Sequence, residues 1–212
     1  MSVFINTFLL IYAGLFPIVN PIGNAPLFLS MTRWQSDSTR AQLARRVAVN
    51  STFLLLGSLL VGSHLLVFFG ISLPVVRIAG GLVVTAFAWT MLNAGNTPDG
   101  DASEKNGVDA FYPLTMPLTV GPGSISVAIT LGSQRPGYAG WSDLILMGGA
   151  ALAGILAIAV SIYLCYRFAN RIVAFLGEAG TNVVMRLSAF ILLCIGIEIL
   201  WNGIAALLHL KV

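Results

Sequence analysis

The sequence predicts an all-α membrane protein: six transmembrane helices in two inverted three-helix repeats, with helices one and four broken in mid-membrane. Three observations carry that prediction. The chain has 212 residues, of which 57% are hydrophobic and only 9% charged, against about 25% charged in an ordinary soluble domain. Apolar stretches long enough to cross a bilayer, which takes about 20 residues, follow one another with short connections. Two of these stretches are interrupted by clustered prolines and glycines at corresponding places.

The first span is expected from Val3 to Met31, interrupted by Pro17, Pro21, Gly23 and Pro26. No basic residue precedes its apolar run and no small-residue cleavage site ends it, so it is expected to be retained. The second span is expected from Val47 to Phe69 and the third from Pro74 to Leu92. A polar linker follows, Asn96 to Val108. The fourth span is expected from Ala110 to Leu131, interrupted by Pro113, Pro117, Gly121, Pro122 and Gly123. The fifth runs from Asp143 to Tyr166, and the sixth from Val184 to Leu208. Loop five, Phe168 to Thr181, is expected to lie partly along the membrane surface.

Orientation follows from Lys and Arg near the span ends. Arg33, Arg40, Arg45, Arg46, Lys105, Arg167, Arg171 and Arg186 fall on one side; Arg77, Arg135 and Lys211 fall on the other. The first group marks the cytoplasmic face of a bacterial inner membrane and leaves both termini periplasmic. The net charge of +3 is too small and too dispersed to indicate nucleic acid; membrane lipid is the expected surroundings.

The linker divides the chain into repeats 1–95 and 109–212, with 96–108 cytoplasmic. A shift of 100 matches Pro17 with Pro117, Gly23 with Gly123 and Asn24 with Ser124; Pro21 and Pro122 match with one residue of slip. A shift of 109 pairs Arg77 with Arg186 and Asn93 with Asn202. Chance likeness in a chain rich in Ala, Gly and Leu is the competing explanation. Three spans per repeat force the second copy to enter from the opposite side, a layout used by many secondary transporters.

Proline removes a backbone N–H and clashes with the preceding turn. Backbone groups freed inside hydrocarbon survive only where protein or a polar cavity satisfies them. Two matched breaks therefore point to a midplane binding site. They supply Asn20 and Asn24 on one side, and Thr115, Thr119, Ser124 and Ser126 on the other, with no charged side chain. Helix N-termini suit a carboxylate and helix C-termini suit an ammonium group or Na⁺, so a small net-neutral solute fits. The alternative is a pair of structural kinks whose polar residues bond neighbouring helices.

Asn20-Pro21-Ile22-Gly23-Asn24-Ala25-Pro26, with Pro117-Leu118-Thr119-Val120-Gly121-Pro122-Gly123-Ser124 and Arg77-Ile78-Ala79-Gly80-Gly81, resembles the MarC family of integral membrane proteins over nearly the whole chain. The resemblance implies six spans, a 3+3 inverted repeat and, from the SnatA-type members, transport of small neutral amino acids such as glycine and alanine. It implies a substrate region of Asn20, Gly23, Asn24, Thr119, Gly121, Gly123 and Ser124, shaped by Pro17, Pro21, Pro117 and Pro122.

Other polar residues carry weaker expectations. Glu198, in the sixth span, is a candidate for ion coupling or for packing the halves together. His64 is expected to be interfacial, and Asn93 and Asn202 to close their helices. Trp34, Trp141 and Trp201 read as interface anchors. Gly80-Gly81 and Gly148-Gly149 with Gly154 read as close-packing faces. Cys165 and Cys194 read as small apolar packing residues, and no metal-ligand set is expected. No cofactor is expected beyond Na⁺ or H⁺ as coupling ion: the neutral oxygens lean towards the first, Glu198 towards the second. No phosphate-cradling motif is present, and no nucleophile with a base, so the chain is not expected to be an enzyme. An exporter of drugs or other metabolites, a channel, and a non-transport membrane subunit are the alternatives. The sequence leaves the oligomeric state open.

Overall fold

The computed structural model describes residues 2–93, 109–133 and 141–208. The expected linker, 96–108, lies outside the described residues, as do Arg135 and Lys211. The helices are α1 (Ser2–Val19), α2 (Pro21–Met31), α3 (Asp37–Phe68), α4 (Leu73–Asn93), α5 (Pro122–Ser133), α6 (Trp141–Arg167) and α7 (Ala169–Leu207), with a six-residue π turn, Leu114–Thr119, before α5. No β-strand occurs among the described residues.

Among the described residues five stretches are long and apolar enough to cross a membrane: Val3–Met31, Asp37–Phe68, Leu73–Asn93, Ser142–Arg167 and Ala179–Leu207. The segment expected as a fourth span differs. Its α5 has 12 residues, about 18 Å at 1.5 Å per residue, which is short of a bilayer core of about 30 Å.

Helix ends follow local chemistry. Ser36 caps α3, its hydroxyl accepting from the Thr39 N–H at 3.2 Å, which carries the helix ten residues further towards the N-terminus than the apolar run from Val47 predicts. Hydropathy ends where charge begins; the helix does not. At the other end, Gly70 (φ 67°) takes the left-handed conformation. The Ile71 N–H bonds the Leu66 carbonyl and the Gly70 N–H bonds that of Val67, which closes a Schellman cap. The region expected as loop five is helical, part of α7, with a kink at Gly177 (φ 66°, ψ 179°).

The buried core runs between α1, α3 and α6: Ile11, Leu15, Val47, Leu55, Ile155, Ile158 and Ile162. The outer face carries exposed Phe53, Leu60, Val61, Val160, Phe190 and Ile197. Such a coat suits lipid, where apolar side chains need no cover.

α3 packs on α5 and α6 packs on α1; α4 packs on α5 and α7 packs on α2; α4 and α7 pack on each other. The α4–α7 pair is antiparallel, with Gly81 against the Leu200 backbone, Gly196 against Thr85 and Gly203 against Ile78. A Cβ at Gly81 would stand 2.6 Å from the Leu200 nitrogen. Gly80 and Gly154 are equally tight, against Ser126 and Ile11. A Cβ at Gly148 or Gly149 would meet nothing within 4 Å, so among the described residues that pair does not make the close helix contact expected of it.

Candidate functional site

The interruption of the first stretch is a single residue. Asn20 adopts φ 46°, ψ 55° between α1 and α2. A residue before proline is driven out of the right-handed helical region, and Asn is among the few non-glycine residues that visit the left-handed one. Pro17 lies within α1 and Pro26 within α2, so the chain changes direction at Asn20 and not at either of these prolines. The Asn20 Oδ1 accepts from the Gly23 N–H at 3.2 Å and caps α2. Its Nδ2 is buried without a partner.

The second interruption is longer. Met116 (φ −120°, ψ 122°) and Val120 (φ −120°, ψ 97°) are extended. Around them the N–H groups of Thr115, Met116, Leu118 and Val120 bond carbonyls five residues back, the π pattern. The Thr115 and Thr119 hydroxyls each donate to a carbonyl five residues back, at 2.7 Å. Side-chain hydroxyls thus reinforce the backbone pattern, the Ala110 carbonyl accepting from both the N–H and the hydroxyl of Thr115. Thr119 also shares a 2.8 Å bond with the Tyr166 hydroxyl, and Tyr166 stacks on Phe28 at 4.4 Å between ring centroids.

Asn24 joins the two interruptions. Its Nδ2 donates to the Val19 carbonyl at 3.0 Å and to the Leu118 carbonyl at 2.9 Å. Two carbonyl partners require the NH₂ at that place, so Oδ1 points the other way. That oxygen is buried and unpartnered, on a residue 2% exposed.

A cavity of about 70 Å³ is lined by Ile18, Asn24, residues 117–119 and 121–124, and by Val83, Val84, Phe87 and Leu192. A single water needs about 10–15 Å³, so the cavity accommodates a few waters or one solute of a few heavy atoms. No charged side chain lines it. The start of α5 forms one wall. Pro122 has no N–H, and those of Gly123 and Ser124 have no partner within the helix. The Ser124 hydroxyl donates to the Gly121 carbonyl at 2.9 Å. Gly123 packs directly on Val84, leaving no room there for a side chain.

Of the residues singled out by motif, Asn24, Pro117, Thr119, Gly121, Pro122, Gly123 and Ser124 share this cavity. Asn20, Gly23, Pro17 and Pro21 do not line it; Gly23 is wedged against Ser188 of α7. The apolar wall from α4 and α7 was not legible in the sequence, because nothing separates Val83, Val84, Phe87 and Leu192 from lipid-facing residues of the same kind. Asn50, inside α3, belongs to no motif in the sequence. Its Nδ2 donates to Thr115 Oγ1 at 3.4 Å.

Glu198 is exposed, accepts from Asn202 Nδ2 at 3.1 Å and is not among the cavity residues. Asn202 stands five residues before the end of α7 and does not close it. Asn93 does end α4, its Nδ2 bonding the Trp89 carbonyl at 2.8 Å. Cys165 packs beside the core, while Cys194 is exposed.

A bundle of long apolar helices with a lipid-compatible coat and a small uncharged cavity at two helix interruptions defines a polytopic α-helical membrane protein. The family described as "MarC family integral membrane protein" matches residues 2–208, and the chain belongs to it. Among similar proteins, a "UPF0056 membrane protein" of Buchnera aphidicola subsp. Schizaphis graminum is 37% identical, covering 93% of each chain. The "UPF0056 inner membrane protein MarC" of Salmonella typhimurium is 30% identical, covering 90% of each. A "UPF0056 membrane protein" of Archaeoglobus fulgidus is 29% identical, over 95% of this chain and 94% of its own. No solved structure matches.

Proposed function

We propose that the protein is a secondary transporter of small neutral amino acids, glycine and alanine among them, working by alternating access across the bacterial inner membrane. In this reading the π turn and α5 together make a sixth span, and residues 1–95 and 109–212 are inverted repeats joined by a cytoplasmic linker at 96–108. The reciprocal packing of α3 on α5 and α6 on α1, and of α4 on α5 and α7 on α2, supports the repeat. A transporter of this layout binds its solute where discontinuous helices meet.

The observation that carries the reading is an uncharged cavity of about 70 Å³ lined by the first turn of α5 and by Asn24, whose buried Oδ1 has no hydrogen-bond partner. An ammonium group donates to that oxygen. A carboxylate accepts from the Gly123 and Ser124 N–H groups, where the helix dipole favours negative charge. The two ends of a zwitterion are then held without a formal charge from the protein, and the small volume selects glycine- and alanine-sized solutes. A drug-sized ligand needs about 300–1,000 Å³. The driving gradient is Na⁺ or H⁺.

The test is uptake of radiolabelled glycine and alanine into liposomes holding the purified protein, with and without inward Na⁺ or H⁺ gradients. Accumulation driven by one gradient supports the reading and names the ion. No uptake under either gradient, with the protein folded, overturns it.

A further inference from the structure

A second and wider cavity, about 440 Å³, lies in the same cleft as the first. Arg77, Val127, Thr130, Ile199, Asn202, Ala205 and Ala206 line it. All three helices that contribute to it, α4, α5 and α7, also wall the small cavity. Arg77 and Val84 are seven residues apart on α4, as are Ile199 and Leu192 on α7. Seven residues of helix rise about 10 Å, so the cavities are stacked in depth.

Between them α4 and α5 touch. A Cβ at Gly80 would stand 2.6 Å from the Ser126 Cβ, and the Ser126 hydroxyl donates to the Val76 carbonyl at 3.1 Å. This contact separates a vestibule from an inner chamber.

The vestibule holds one cation. The Arg77 Nε approaches Thr130 Oγ1 at 3.5 Å, and no carboxylate lies within 4 Å of its guanidinium among the described residues. Its terminal nitrogens thus keep their paired donor geometry, the fork that fits a carboxylate. Apart from Thr130 and Asn202 the walls are apolar.

The geometry points to the vestibule as a capture site for the carboxylate of an entering solute, held by Arg77 with Thr130 beside it, while the Asn202 Nδ2 on the facing wall is given to Glu198. It rests on the transport reading for the identity of that solute, but anion binding there has its own test. The solute meets a formal positive charge first and hands its carboxylate to the uncharged start of α5 when the Gly80–Ser126 contact opens.

The experiment uses the full chain with Cys165→Ala and Cys194→Ala, and a reporter thiol from Ala206→Cys on the vestibule wall, in phosphatidylcholine liposomes. A neutral, membrane-impermeant sugar-linked methanethiosulfonate is added, with propionate or isopropylamine as competitor. Propionate is expected to slow labelling on the order of tenfold, as a charge-assisted bond predicts, and isopropylamine to leave it unchanged. Arg77→Gln removes the protection; Arg77→Lys, which keeps charge without the fork, reduces it. No labelling, no protection by propionate, or equal protection in Arg77→Gln overturns the site. Protection that requires phosphatidylglycerol in place of propionate assigns Arg77 to lipid phosphate and also overturns it. Alanine uptake in the same liposomes separates the two readings. Uptake without propionate protection sinks the vestibule site alone; protection without uptake leaves the site and sinks the transporter.

Discussion

Asn24 Nδ2 donates to the Leu118 carbonyl across 2.9 Å, so one buried amide ties the start of α2 to the interruption before α5. The same amide bonds the Val19 carbonyl at the end of α1. The segments freed by the prolines are thereby held to each other through one side chain, whose oxygen is left buried without a partner.

Asn24→Leu strands two buried carbonyls, each at a cost of about 1–3 kcal/mol. The expected result is a lowered melting temperature together with loss of alanine uptake. Asn24→Asp presents oxygens to those carbonyls and should behave no better. Wild-type uptake in either variant would remove Asn24 from the site.

Asn20→Gly keeps the left-handed backbone at no steric cost and weakens the α2 cap by only a few tenths of a kcal/mol. Stability should hardly change. It deletes the unpartnered Nδ2, so any fall in solute affinity measures that amide alone. Equal affinity would make Asn20 a hinge and not a ligand.

Thr119→Val takes the hydroxyl from both the buried Tyr166 hydroxyl and the Leu114 carbonyl and should destabilise by about 1–3 kcal/mol for each. Adding Tyr166→Phe removes the first of these orphans and should recover that part of the loss. A thermal-unfolding double-mutant cycle checks it. Additive losses would mean that the bond contributes nothing.

Gly123→Val drives a branched side chain into Val84, where even a Cβ has no room. Uptake should be abolished in a protein that still inserts. Gly148→Val, at a glycine with open space around it, is the matched control and should transport normally.

A cysteine at Ser103 tests the orientation drawn from the Lys and Arg bias. It should react with impermeant thiol reagents only from the cytoplasmic side. Labelling only from outside would invert the proposed topology.

By itself the sequence determined the all-helical, membrane-embedded class, the family, and most of the second interruption's contribution to the cavity. Few charges, long apolar stretches and clustered prolines act locally, and local effects are legible in one dimension. The starts of α3 and α7 were not, because hydropathy reports lipid contact while capping and kinks decide where a helix begins and bends.

Only the tertiary structure decided which residues meet. It put Asn24 against Leu118, ran α4 against α7 through Gly81, Gly196 and Gly203, and turned Glu198 away from the small cavity. It also brought Val84, Phe87 and Leu192 to that cavity's wall and set Arg77 in a second one. In a chain whose outer coat is as apolar as its core, composition cannot distinguish a side chain facing lipid from one facing a partner. That choice is made by packing between helices distant in sequence.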